Sequence, residues 1–168
     1  MWSREHVSEN RLYGRRPAVT EGIIRGKNLA DKVAAAYAAF LGTKDIACFT
    51  GGEEEHLVQV TWHLKEEAEV TILHIFDRES ESVRIVGSGF LAVPEDRLQE
   101  GYCACNTLNS QLRFVTFYVD ETDYELVVCY DAKVTAENCG PICMDAMMNI
   151  VDILNETYSL IRQDLGLI

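Results

Sequence analysis

Six cysteines and four histidines are the residues of this chain whose types suit metal binding or redox chemistry. The nearest thing to a motif among them is Cys139-Gly-Pro-Ile-Cys143. That run is one residue longer than a Cys-x-x-Cys redox pair, and no βαβ unit precedes it. Cys139 falls at a predicted helix start, where unpaired amides lower a thiol pKa. Cys103 and Cys105 stand two apart on a predicted helix, so they point to nearly opposite sides and do not clamp one ion. Cys129 lies within a predicted strand. His63 and His74 fall on neighbouring predicted strands; with the turn centred between Glu66 and Glu67, residue 59 faces His74 and the two rings stand apart. Gly87-Ser-Gly89 is too short for a phosphate loop. Glu53-Glu54-Glu55 lacks the spaced ligands and the glycine of a calcium loop. The expectation is therefore no catalytic, cofactor-binding or metal-binding residue. The alternative is a small cytoplasmic enzyme or thiol-redox protein using Cys139 and Cys143.

The elements that would position these residues read as follows. Residues 1–27 show no sustained periodicity and are punctuated by Gly14, Pro17, Gly22 and Gly26, which predicts an irregular arm. Asn28 is an N-cap with Asp31 three residues on. Leu29, Val33, Tyr37, Phe40 and Leu41 then follow helical spacing, and Gly42 ends the helix. Cys48-Phe49 reads as a short strand inside a loop. Three strands follow, Leu57–Leu64, Glu69–Phe76 and Ser82–Leu91, joined by turns so tight that they are antiparallel neighbours. Gly87 and Gly89 share a face of the third, where the sheet bends or another backbone approaches.

Pro94 opens a second helix with Leu98, Tyr102, Cys105 and Leu108 on one face, weakened in its middle by Gly101. Asn106 and Asn109 fall at its end. The strands Arg113–Val119 and Tyr124–Asp131 form a hairpin, apolar on both sides, which predicts a central position covered on both faces or one face reserved for a partner. Pro141 starts a closing helix of about 24 residues with the stripe Cys143, Met147, Ile150, Leu154, Tyr158, Ile161 and Leu165. The order α-β-β-β-α-β-β-α predicts an α+β fold. Its antiparallel sheet has about five strands, with helices packed mainly on one face.

A chain of 168 residues is the size of one domain and buries roughly 70% of its unfolded surface without disulfides or metal. The reading is an arm over residues 1–27 and one domain over residues 28–168. The start of the chain has no apolar signal region and no run is long enough to span a membrane, so the expected location is cytoplasmic. The net charge of −12 is unevenly spread. Residues 1–27 carry six basic and three acidic side chains, +3, while residues 28–168 carry nine and 24, −15. So acidic a body repels phosphate backbones, and no nucleic-acid partner is expected.

The segment Asn106-Thr-Leu-Asn109, the strand Arg113-Phe-Val-Thr-Phe-Tyr-Val-Asp120, the return Val127-Val-Cys-Tyr-Asp131 and the long closing helix resemble the YbjN family. These bacterial proteins are grouped under the label of sensory transduction regulators. The likeness covers roughly residues 28–165. It implies a fold similar to type III secretion chaperones, a compact α+β domain, often dimeric, that holds other polypeptides. It implies no catalytic residue.

The expected function is accordingly a non-catalytic protein-binding module, chaperone-like or regulatory. Three helices do not cover both faces of a five-stranded sheet, and soluble monomers seldom expose a large apolar patch. The expected partner is a second copy of the chain, giving a homodimer, or a polypeptide client on the less covered face or an edge. The competing cover is the arm itself, through Trp2, Tyr13, Ile23 and Ile24.

Overall fold

The computed structural model describes residues 28–51 and 56–168, and the expected arm lies outside the described residues. The elements run α1 (Leu29–Gly42), β1 (Phe49–Thr50), β2 (Leu57–His63), β3 (Glu69–Phe76), β4 (Ser82–Ser88), α2 (Leu98–Gln111), β5 (Thr116–Asp120), β6 (Glu125–Lys133) and α3 (Cys139–Asp164). All the strands join one antiparallel sheet in the order β1-β2-β3-β4-β6-β5. The fold is α+β as expected. Among the described residues it has six strands rather than about five, the sixth being the two-residue β1 beside Cys48.

Local chemistry explains the helix limits. Asn28 Oδ1 accepts the Asp31 amide at 2.9 Å, and Asp31 Oδ2 accepts the Asn28 amide at 3.2 Å. This reciprocal pair satisfies two orphan donors at the start of α1. The helix α3 begins at Cys139, two residues before the expected Pro141. A proline in the first turn loses no intrahelical bond, so it marks the start only loosely. The expected stripe of α3 faces the core, with Cys143, Met147, Ile150, Leu154, Ile161 and Leu165 buried and Tyr158 packed against them.

α1 and α3 lie on the same face of the sheet. Beneath them run the rows Val60, Ile72, Gly87, Val128, Phe117 and Val58, His74, Ile85, Tyr130, each crossing from β2 towards the far edge. A Cβ on Gly87 would stand 2.9 Å from a Val128 methyl and 3.3 Å from an Ile150 methyl, so the glycine lets α3 settle onto the sheet. The third long strand stops at Ser88 instead of Leu91. Gly89 turns the chain with a φ of 73°, after which Leu91 and Val93 bond Leu126 and Tyr124.

Three expectations are corrected. The β5–β6 hairpin is not central: β4 pairs with β6, which leaves β5 at the edge. The chain passes through α2 between β4 and β5, and local periodicity carries no information about such a crossover. In α2, Tyr102 points outward and its hydroxyl donates to Glu121, while Gly101, Ala104, Cys105 and Leu108 form the buried side. The β2–β3 register is shifted by one, with Val58 opposite His74. The turn holds three residues closed by Leu64 N–H to Ala68 O, and Glu67 adopts a φ of 57°. A three-residue hairpin loop ending in a left-handed residue is a favoured geometry.

Candidate binding surface

The residues with reactive types do not converge. Cys139 and Cys143 are buried under α1 and unbridged, and the Cys139 thiol lies near the carbonyls of Val33 and Ala136 at 3.7 and 3.6 Å. Burial pushes both thiols up, Cys143 to about 12, which outweighs the helix N-terminus at Cys139. Cys103 is exposed and Cys105 is buried on α2; Cys129 is half-buried on β6. Among the described residues no three His, Cys, Asp or Glu side chains stand together as a metal set.

The two histidines lie on opposite faces. His63 is exposed and pairs with Glu69 at 3.1 Å. His74 is fully buried between α1 and the sheet. Its Nδ1 lies 3.2 Å from the Val58 carbonyl, which can only accept, so Nδ1 carries the proton. Its Nε2 therefore accepts from the Tyr37 hydroxyl at 3.1 Å. Burial lowers its pKa to about 4 and holds the ring neutral. Both rings' polar atoms are satisfied, so the pair is a core device.

What the chain presents instead is a sheet face. One transverse row of it crosses all six strands: Phe49, Gln59, Leu73, Val86, Cys129 and Thr116. Beside it runs Leu57, Ile75, Arg84, Asp131, in which Arg84 grips Asp131 with two bonds of 2.8 and 2.9 Å. Leu57, Leu73, Ile75, Val86 and Tyr118 are half-buried and stand outside the core cluster built by the helices. Phe49, at one end of the row, is 63% exposed. Near the other end Phe114 is 77% exposed and has a φ of 70°, a left-handed conformation rarely adopted by a bulky side chain.

The two edges beside this face differ. On β5, the Asn109 amide donates to the Phe117 carbonyl at 2.9 Å and its oxygen accepts the Phe117 amide at 2.8 Å, closing that edge as a strand would. The helix expected to end near Asn109 continues to Gln111, and this side chain reaches sideways to the sheet. On the other side β1 pairs, among the described residues, with Val58 and Gln59 of β2.

A six-stranded antiparallel sheet with its helices on one face, and an opposite face that no helix of the described residues covers, defines a two-layer α+β domain. Within that class the chain belongs to the YbjN family, described as "Putative bacterial sensory transduction regulator", whose model matches residues 34–157. Among solved structures it is similar to the ExsC–ExsE complex, with a TM-score of 0.51 and 19% identity over 78% of this chain and 93% of that one. It is also similar to YbjN from E. coli, with a TM-score of 0.51 and 14% identity over 72% of this chain and 87% of that one. Identities this low show the fold alone. No curated protein matches the sequence.

Proposed function

We propose that this protein is a non-catalytic, cytoplasmic binding module that holds a polypeptide client on the open face of its sheet. The observation that carries this reading is the row Leu73, Val86, Cys129. It is apolar, half-exposed and outside the core, on a face that no helix of the described residues covers. Family membership supports a regulatory or binding role, and the ExsC–ExsE structure is of a protein–protein complex on this fold. The buried, satisfied state of His74, Cys139 and Cys143 supports binding over thiol chemistry.

The test is a paired variant, Leu73→Lys with Val86→Glu. These residues face each other across β3 and β4, so the new charges pair while the patch loses its apolar character. The client is first identified by isolating the full chain from its native cell, and binding is then measured with the purified client. The variant should keep the wild-type unfolding midpoint and lose client affinity at least tenfold, roughly 1.4 kcal/mol. Equal affinity in both proteins overturns the reading. A concentration-dependent dimer that the variant abolishes would instead make a second copy the occupant.

A further inference from the structure

The Arg84–Asp131 pair interrupts the apolar part of the open face. The two residues face each other across β4 and β6. Ile75 lies beside Arg84 on β3, and Val86 and Cys129 stand one step along the two strands on the same face. Both side chains of the pair are more than half exposed. An ion pair so open to water contributes little to stability.

An occupant changes that balance. A polypeptide laid over Leu73 and Val86 also strips water from the pair beside them. A desolvated ion pair loses more than its own attraction returns unless its remaining groups are bonded. Arg84 gives Nε to Asp131 Oδ1 and Nη2 to Oδ2. Both N–H groups of Nη1 and one of Nη2 are left without partners among the described residues. Each carboxylate oxygen accepts one bond from Arg84 and has a lone pair to spare. Whatever covers the pair must therefore present an acceptor to the guanidinium and a donor to the carboxylate.

The two charges cancel, and that narrows the choice. A lone carboxylate on the occupant gains at Arg84 and loses at Asp131, and a lone cation does the reverse. A side-chain amide carries an acceptor and donors with no net charge. We propose that Arg84 and Asp131 select the client, admitting an apolar segment with an Asn or Gln opposite the pair and excluding apolar chains that lack one. The inference rests on the client reading of the open face and adds to it the chemistry of the bound segment. A site that buries its own polar groups discriminates strongly against an occupant that leaves them unpaired.

Two double variants of the full chain test it. Arg84→Met with Asp131→Leu makes the row apolar. Arg84→Asp with Asp131→Arg keeps the pair and reverses it. Unfolding midpoints near wild type show that both proteins are folded. Each is titrated with the purified client and with reduced, carboxymethylated lactalbumin, a permanently unfolded chain, in salt that screens its charge. The apolar variant should bind the client about tenfold more weakly than wild type and the unfolded chain about tenfold more tightly. The reversed variant should hold the client within about threefold, because an amide turned over puts its donor where its acceptor was.

An apolar variant that keeps or improves client affinity overturns the inference, since the pair would then only break up the patch. A reversed variant that loses the client overturns it too, since the client residue there would be charged. Equal binding of the unfolded chain by wild type and the apolar variant removes the exclusion and has the same effect. Leu73→Lys with Val86→Glu separates the two readings. If that variant keeps full client affinity, the open-face reading itself has failed; if it alone loses the client, this inference has failed and the open face stands.

Discussion

Asn109 and Phe117 are joined by two hydrogen bonds, amide to carbonyl at 2.9 Å and amide to side-chain oxygen at 2.8 Å, so one side chain occupies both outward backbone groups of an edge residue. Phe117 itself is buried on the face that α2 packs against, in the row with Val128 and Gly87. The bond pair therefore does two things. It docks α2 on the sheet and it blunts the edge at Phe117.

Replacing Asn109 by Ala should cost about 2 kcal/mol, since it leaves two part-buried backbone groups without partners. Asn109→Asp keeps the acceptor for the Phe117 amide but brings a carboxylate against the Phe117 carbonyl, so it should also destabilise. Urea unfolding gives the cost. Sedimentation of the Asn109→Ala protein should show more self-association than wild type, and an unchanged monomer would separate the docking role from the edge role.

Phe114 offers a test of strain. Its φ of 70° puts a bulky, 77% exposed side chain in the left-handed region, which costs an L-residue about 1–2 kcal/mol. Phe114→Gly should raise stability by up to about 1 kcal/mol, the gain being reduced by the freer unfolded chain. A loss of stability would mean that Phe114 makes a contact in solution that its exposure does not reveal. Client affinity measured on the same variant reports whether this aromatic is an anchor beside the open face.

Gly101 opposes two effects in one position. As a helix-interior residue it should improve on replacement by Ala by about 1 kcal/mol. A Cβ there would stand 3.0 Å from a Val93 methyl and 3.1 Å from a Val119 methyl, both on stiff β-branched side chains. Crowding from two sides should win, so Gly101→Ala should destabilise by about 1 kcal/mol. Combining it with Val93→Ala should recover part of the loss in a double-mutant cycle.

How much of this was legible before folding depends on the range of the interaction. The α3 stripe and the Asn28–Asp31 cap are written within a few residues, and both stand as read. The place of β5 was not legible, because Phe114, Val115 and Phe117 look alike locally whether the strand is central or at an edge. The β2–β3 register turned on one left-handed residue, Glu67, which no glycine marks. That single step moved His74 opposite Val58 rather than Gln59. Asn109 and Gly101 were visible as residue types, but their roles depend on Phe117, Val93 and Val119, which only the tertiary fold brings near. The open face follows from the same limit: alternation separated Leu73 and Val86 from Ile72 and Ile85, yet only helix placement decides which side is covered.

Stability should fall on mild acidification, and His74 supplies the reason. Its folded pKa, about 4, lies below its unfolded value of 6.5, so the unfolded chain binds the proton more readily. The contribution is fully present above pH 6.5 and is lost as the pH falls from there to about 4. Over that window it amounts to about 3 kcal/mol. The lowered pKa of Asp77, held by the Glu79 and Ser80 amides, acts only at still lower pH. Urea midpoints between pH 7.5 and 4.5 should fall less steeply for His74→Phe than for wild type, whatever the variant loses at neutral pH through the orphaned Tyr37 hydroxyl. Parallel profiles would show that His74 takes up its proton as readily in the folded protein as in the unfolded chain.

Thiol labelling reads the surface and the core together. Cys103 is exposed on α2 and should react first with an aromatic disulfide reagent. Cys48 and Cys129 are half-buried, and burial raises both thiols, so they should follow more slowly. Cys105, Cys139 and Cys143 are buried with raised pKa values and should react only at the rate of unfolding. Early modification of Cys139 would contradict its burial against Val33 and restore the case for a reactive thiol at the α3 N-terminus. Cys129 adds a second use, because it lies in the open-face row between Val86 and Thr116. A bound client should slow its labelling while leaving Cys103, on α2, unchanged. Equal protection of both thiols, or of neither, would place the client elsewhere.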